Sequence, residues 1–424
     1  MVDSSEQNNA KFVSYRYSNK KQKLFGFSTK QSLFFFGMIF VLYTFFSNQS
    51  FALGKYDKQY KINLVRSSKT EIPRCGHFLT QLGNGNVVIT GNIPLVGRGE
   101  NDSNIRQIEI YNLKTNKTKK AGFMNLPSCM HNAILLKDGR VLILGGNKMP
   151  SADYDIAKRI QIYNPQSNDC ETIVTEFSLS SRPICLLENG NVFITIQDDG
   201  HKKKYYYCIF NPNNNSLNKY PSPESIISVL KCGEDTIVIT RSYSFSRKNI
   251  NDGFYCTPCV FKIYKYNTKE NNFIFLEKIE HPFSTYLKAF SLNDNEIVIC
   301  LSRYEKHRQK IWYEYPTNIL TFNTKTKQTK KVGGTISDPL NNILITREQE
   351  ILLFHTKEIE IYDIKTNTSS IIKKPYFLNT YSYGSQGETI VLNDGNILTI
   401  GGYSPWEGYL KNIYVYNLKK RNLK

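Results

Sequence analysis

The stretch His131-Asn132-Ala133-Ile134-Leu135-Leu136-Lys137-Asp138-Gly139-Arg140-Val141-Leu142-Ile143-Leu144-Gly145-Gly146 reads as two apolar strands around a tight turn, ending on a glycine pair. An Asp-Gly step between two β-rich runs is a strong hairpin signal, because glycine takes positive φ without a Cβ clash. After a variable connection comes Arg159-Ile160-Gln161-Ile162-Tyr163-Asn164, an alternating strand that runs into the turn Pro165-Gln166-Ser167-Asn168. Three strands and their turns form one supersecondary unit.

The unit recurs. Its first copy joins His77–Leu82 to Val87–Gly91 through Gly83-Asn84-Gly85-Asn86 and closes on Ile108-Glu109-Ile110-Tyr111-Asn112. The last joins Thr389–Leu392 to Ile397–Gly402 through Asn393-Asp394-Gly395-Asn396 and closes on Ile413–Asn417. An aromatic residue followed by Asn or Asp marks each copy, with the aromatic at Tyr111, Tyr163, Phe210, Tyr266, Phe322, Tyr362 and Tyr416. The spacing is about 50 residues, with length changes confined to the segments between strands.

The glycine pairs Gly145-Gly146 and Gly401-Gly402, with the Tyr-Asn end of the third strand, resemble the Kelch family over residues 74 to 422. Five copies lack the double glycine, and the tryptophan usual in the fourth strand is absent. The resemblance implies an all-β, seven-bladed propeller like the central domain of galactose oxidase. In such a ring each four-stranded blade covers its neighbour. The last copy stops soon after its third strand, so residues 59–66 are expected to supply the missing outer strand and tie residues 55–424 into a circle.

The 424 residues include 28 Tyr and 25 Phe, which suits pleated sheets, whereas 15 Pro and 25 Gly argue against disorder or a fibre. A net charge of +19 comes in part from exposed turns such as Lys114–Lys120 and leaves room for an anionic partner. No nucleic acid is expected. The nine cysteines form no small disulfide framework.

Residues 1–30 form a basic polar leader. Residues 31–54 carry no charge and are long enough to span a bilayer, although their apolar heart is Leu33–Phe46. They are expected to act as a transmembrane signal-anchor, or alternatively as a signal peptide cleaved near Ala52. Both place the propeller on the exported side, membrane-bound in the first case and secreted or periplasmic in the second. A buried core helix has nothing helical to pack on.

In up-and-down blades the long connections 92–107, 147–158, 242–259 and 302–316 share one face, the usual place for binding on a rigid scaffold. Arg241, Arg303, Trp312, Tyr403 and Trp406 lie in or beside such connections. Arg74 and Arg182 lead into first strands, where the Kelch resemblance implies a central pocket. Arginine forks and aromatic rings suit a protein or an acidic glycan. Catalysis has less support. The adjacent Tyr-His pair of galactose oxidase's copper site is absent, and His77 and His131 occupy equivalent repeat positions that read as structural. Cys256-Thr257-Pro258-Cys259 is the sharpest local pattern, yet it lacks a second pair for zinc or a βαβ setting for redox work. The expected function is a non-catalytic, membrane-anchored binding module without cofactor. The alternatives are an exported sugar-acid enzyme resembling the Kelch-type sialic acid epimerases, or a cytoplasm-facing scaffold.

Overall fold

The computed structural model describes residues 59–93, 102–146, 157–196, 204–243, 259–281, 286–306, 312–334, 343–354, 358–378, 386–404 and 407–420. The chain divides after Lys55, and every described residue belongs to the second unit, Tyr56–Lys424. Seven antiparallel sheets of four strands make up that unit. Blade 1 comprises Phe78–Gln81, Val87–Thr90, Gln107–Asn112 and Lys117–Phe123. Blade 2 comprises Asn132–Leu135, Val141–Leu144, Arg159–Asn164 and Asp169–Val174. Blades 3 to 6 start at Leu179, Ser225, Tyr286 and Ile343. Blade 7 takes Gln386–Val391, Ile397–Ser404 and Gly408–Lys420 from the end of the chain and Tyr60–Arg74 from its beginning.

That last pairing closes the ring. Tyr60 lies opposite Lys420 and Arg74 opposite Leu410, with register shifts between Leu64 and Arg66 and between Lys69 and Arg74. The strand therefore runs well past residue 66. Its middle, Arg66–Lys69, is polar and exposed apart from the half-buried Ser68, so it carries no alternating apolar signal. Tyr60 also donates to Glu350 Oε1 of blade 6 at 2.9 Å, and Lys420 pairs with Asp363 at 3.3 Å.

The turns explain the repeat signature. Gly139, at φ +87°, lets its N–H return to Leu136 O at 3.1 Å, while Asp138 Oδ1 accepts from Arg140 N at 3.0 Å. At the third-to-fourth strand turn, Asn112 Oδ1 accepts from the N–H groups of Lys114 and Thr115, both at 2.9 Å. Four residues further on, Asn116 adopts φ +56°, as Asn168, Asn271 and Asn367 do in their blades. Asparagine tolerates that conformation because its side chain finds local partners. The partner is the marker tyrosine: Tyr111 donates to Asn116 Oδ1 at 2.6 Å, and Tyr163, Tyr266 and Tyr362 repeat the bond five residues on. The Tyr163 hydroxyl also lies 2.8 Å from Ala121 O of blade 1, and that of Tyr362 2.8 Å from Val332 O of blade 5, so each shares its one proton between the asparagine and the carbonyl. The marker tyrosine thus seals its own turn in blades 1, 2, 4 and 6, and in blades 2 and 6 it also bonds the preceding blade.

The apolar core lies between blades. Val88, Ile108 and Ile110 of blade 1 pack with Val141, Ile143 and Tyr163 of blade 2. Equivalent clusters fill the following junctions, down to Leu398 and Ile413 of blade 7 against Val87 and Ile89 of blade 1. Helical pieces among the described residues are short, such as Asp102–Arg106 and Tyr376–Leu378.

The basic leader 1–30 and the apolar segment 31–54 lie outside the described residues. Among the described residues no helix is long and apolar enough to cross a membrane. The structure therefore supports the all-β, seven-bladed part of the expectation and gives no support to a transmembrane or signal helix.

Tyr163→Phe removes this shared hydrogen bond and leaves the buried Ala121 carbonyl without that partner, while the ring still packs. The variant is expected to lose about 1–2 kcal/mol of stability, read as a lower urea midpoint at unchanged denaturant slope. An unchanged midpoint contradicts the role given to the hydroxyl.

Candidate functional site

The segments that lead into blades 1 and 2 have the same plan. Arg74-Cys75-Gly76-His77 enters blade 1, and Ser128-Cys129-Met130-His131 enters blade 2. Each passes over a glycine of the preceding blade: Gly401 within the second strand of blade 7, and Gly91 just after the second strand of blade 1. A Cβ on Gly401 of blade 7 would meet Arg74 O at 2.2 Å, and one on Gly91 of blade 1 would meet Ser128 O at 2.4 Å. Both glycines are at positive φ, +64° and +74°. These positions are closed to side chains by space and by backbone conformation alike.

Arg74 is fully buried and its fork is occupied. Its Nη2 and Nε donate to Glu109 Oε1 at 2.7 and 3.3 Å, and its Nη1 donates to Gly91 O at 2.9 Å. Glu109, also fully buried, accepts from the Glu71 N–H through Oε2 at 2.8 Å. Gln161 stands at the equivalent position of blade 2 and accepts from the Leu126 N–H at 2.9 Å. One polar side chain three residues before the Asn turn thus anchors the chain as it crosses between blades. In blade 1 the carboxylate there pairs with a buried guanidinium, and blade 6 also carries a buried carboxylate at this position, Glu360.

The two histidines differ. His131 is buried, with Nε2 2.8 Å from Thr90 Oγ1 of blade 1 and its ring centroid 6.1 Å from that of Phe78. His77 is only 4% exposed, and neither of its ring nitrogens has a hydrogen-bond partner among the described residues. The repeat supplies the reason. Thr90 ends the sequence Val87-Val88-Ile89-Thr90-Gly91, and its counterpart in Ile397-Leu398-Thr399-Ile400-Gly401 is Ile400, which has no hydroxyl to offer. Burial first, then the charges of Arg74 and His131, push the His77 imidazole down to about 3. It is therefore neutral at physiological pH and open for a hydrogen bond. A buried polar group left so is rare and calls for a cause.

The other residues singled out from the sequence are spread round the ring. Arg241 ends up half-buried in the second strand of blade 4, opposite Ser225 and Phe261. Arg303 and Trp312 belong to the second and third strands of blade 5, and Arg182 to the first strand of blade 3. Tyr403 is exposed in blade 7, its ring 5.8 Å from Tyr409 and edge-on to it. Trp406 and Cys256 lie outside the described residues. Cys259 is buried at the start of the third strand of blade 4, opposite Tyr243 and His281. The topology puts the ends of these strands on the side of the long connections, in different blades. It does not gather them round Arg74, whose partner, Glu109, sequence reasoning passed over as an ordinary strand residue.

Fold and closure define a seven-bladed β-propeller. No family model and no curated protein matches the sequence. In three dimensions the chain is similar to a solved structure of a novel fungal alcohol oxidase with catalytic diversity among the AA5 family, in complex with copper. The identity is 13%, the TM-score is 0.53, and the match covers 84% of this chain and 76% of that one. At that identity the likeness shows the fold alone. The architecture matched over most of the chain belongs there to an enzyme, which corrects the expectation of a non-catalytic binding module. The copper itself does not fit the described residues. Among them no group of three or more His, Cys, Asp or Glu side chains is placed to hold a metal ion, and His77 with His131 makes two.

Burial holds the folded His77 imidazole down at about 3, against the ordinary histidine value near 6.5. Across that interval the unfolded chain binds the extra proton. The stability that depends on a neutral His77 is complete above about pH 6.5 and declines as pH falls, by up to about 1.4 kcal/mol per pH unit. His77→Phe is expected to flatten the acid side of the urea-midpoint profile relative to the parent. Parallel profiles refute it.

Proposed function

We propose that the chain is a Kelch-type propeller enzyme acting on the hydroxyl or carbonyl group of a small molecule where the chain leads into blades 1 and 2. His77 is the residue that hydrogen-bonds the reacting oxygen. The observation that carries this reading is the His77 imidazole, buried and neutral with both nitrogens open, in a ring where its repeat counterpart His131 has a hydroxyl beside it. A neutral imidazole donates through one nitrogen and accepts through the other, so it can hold a hydroxyl or polarise a carbonyl. Arg74 adds a fixed positive charge, balanced by Glu109, whose field already acts on His77. The similarity in fold to an alcohol oxidase supports alcohols and their carbonyl products as the first substrates to try. The Kelch assignment draws its support from the glycine pairs and the aromatic-Asn markers.

The test is turnover by the purified full-length chain on a panel of primary alcohols, polyols, aldoses and the matching aldehydes. The panel is run with the parent, His77→Phe and Ile400→Thr. His77→Phe is expected to lose at least about 100-fold in kcat/KM, the scale of a lost acid–base or orienting group. Ile400→Thr is expected to reduce turnover by giving His77 the partner that His131 has. Circular dichroism checks that both remain folded. Turnover of no panel member, or undiminished turnover in folded His77→Phe, overturns the proposal.

A further inference from the structure

The same lead-in segments carry a second feature on their other side. Cys75-Gly76-His77 and Cys129-Met130-His131 are one tripeptide pattern at equivalent positions of two successive blades. The middle residue takes positive φ in both, +61° at Gly76 and +54° at Met130. Methionine rarely adopts that conformation, so the surrounding structure imposes it. The Met130 N–H donates to Gly76 O at 2.7 Å, joining the segments backbone to backbone, with a cysteine immediately before each bonded residue. The imidazole of His131 goes to Thr90 and Phe78. The two cysteine side chains instead share one apolar cluster with Ile93, against which Tyr409 packs. They are 0% and 1% exposed.

We propose that Cys75 and Cys129 are the two halves of a disulfide that fastens the start of blade 1 to the start of blade 2. Both are thiols in this structure. The cross-link forms by exchange with an external disulfide, small-molecule or protein. One cysteine thiolate attacks it, a mixed disulfide forms and one thiol leaves. The second cysteine then attacks its neighbour's sulfur and releases the second thiol. Two protons and two electrons leave the pair, and the incoming disulfide is reduced to two thiols.

Burial, and then Cys129 nearby, raise the Cys75 thiol to about 11, which keeps it unreactive in the folded chain. The bond therefore closes during folding, while the segments are still accessible. It persists in an oxidising compartment. Among the described cysteines one other pair, Cys232 and Cys259, shares a buried cluster, yet one lies at the first hairpin turn of blade 4 and the other at the far end of its third strand. The proposal is independent of any role for His77.

The experiment uses the full-length chain refolded in a glutathione redox buffer, then denatured and alkylated without reductant. The expected mass shows seven alkylated cysteines of the nine in the sequence, and digestion yields one linked peptide containing Cys75 and Cys129. Dithiothreitol is expected to lower the melting midpoint of the parent by roughly 5–10 °C. It should have no such effect on Cys75→Ser or Cys129→Ser, and the double variant should match either single one. Nine alkylated cysteines, a linked peptide joining other positions, or stoichiometric zinc on the untreated protein overturns the assignment. The peptide map of the parent decides the matter even if a serine variant does not fold.

Discussion

A blade cannot bury its own middle strands. Val87, Val88 and Ile89 are all fully buried although neighbours along a strand point to opposite faces, and Val141, Leu142 and Ile143 repeat the pattern in blade 2. Both faces must then be covered, one by the blade before and the other by the blade after. A row of such sheets has two uncovered ends, and joining them is the arrangement that leaves none. Leu398 of blade 7 against Ile89 of blade 1 completes that condition. The outer strand Tyr60–Arg74, drawn from the opposite end of the sequence, makes the joint a matter of backbone hydrogen bonds as well as apolar contact. Opening the ring exposes two apolar faces at once, so closure and core stability are one property.

Burying the junctions also buries polar groups, and the repeat satisfies them by a fixed rule. The marker tyrosine bonds the left-handed asparagine of its own turn and, in blades 2 and 6, a carbonyl of the blade before. The asparagine or aspartate next to it caps the turn. Where the marker is phenylalanine, at Phe210 and Phe322, the hydroxyl is gone, and the left-handed position holds Asn215 or Lys327. The rule is therefore side-chain chemistry coupled to backbone geometry rather than composition. In blades 1, 2, 4 and 6 the tyrosine and the left-handed asparagine occur together and bond each other.

The fold was legible because its determinants are local. A turn such as Asp138-Gly139 needs four residues to announce itself, and an alternation such as Ile160–Tyr163 needs four more. The outer strand of blade 7 was legible in part. Tyr60 and Ile62 pack inward, whereas Arg66–Lys69 are polar and mostly exposed and carry no pattern, so its extent to Arg74 had to come from the register. The Arg74–Glu109 pair joins residues 35 positions apart; the sequence marks Arg74 as a candidate site residue but gives no sign that its partner is Glu109. In the folded ring the Arg74 guanidinium is fully buried and donates to Glu109 and to Gly91 O. The signal that would have found the pair is the comparison of Glu109 with Gln161, two polar residues at one buried repeat position.

The repeat offers a control that a single-copy fold lacks. When a residue type recurs at an equivalent position with equivalent partners, its cause lies in the architecture. When it recurs with different partners, the difference is particular to that blade. His77 and His131 share a position, a preceding Cys-x, a left-handed residue between and a glycine beneath the segment. They differ in the residue just before that glycine, Thr90 for one and Ile400 for the other. Were the imidazole required only as a packing element, an apolar ring in blade 1 would fill the same space without leaving two nitrogens dry. Retaining histidine there costs stability that the adjacent blade recovers with one hydroxyl. That asymmetry, rather than the charge or the aromatic residues of the long connections, separates the start of blade 1 from the rest of the ring.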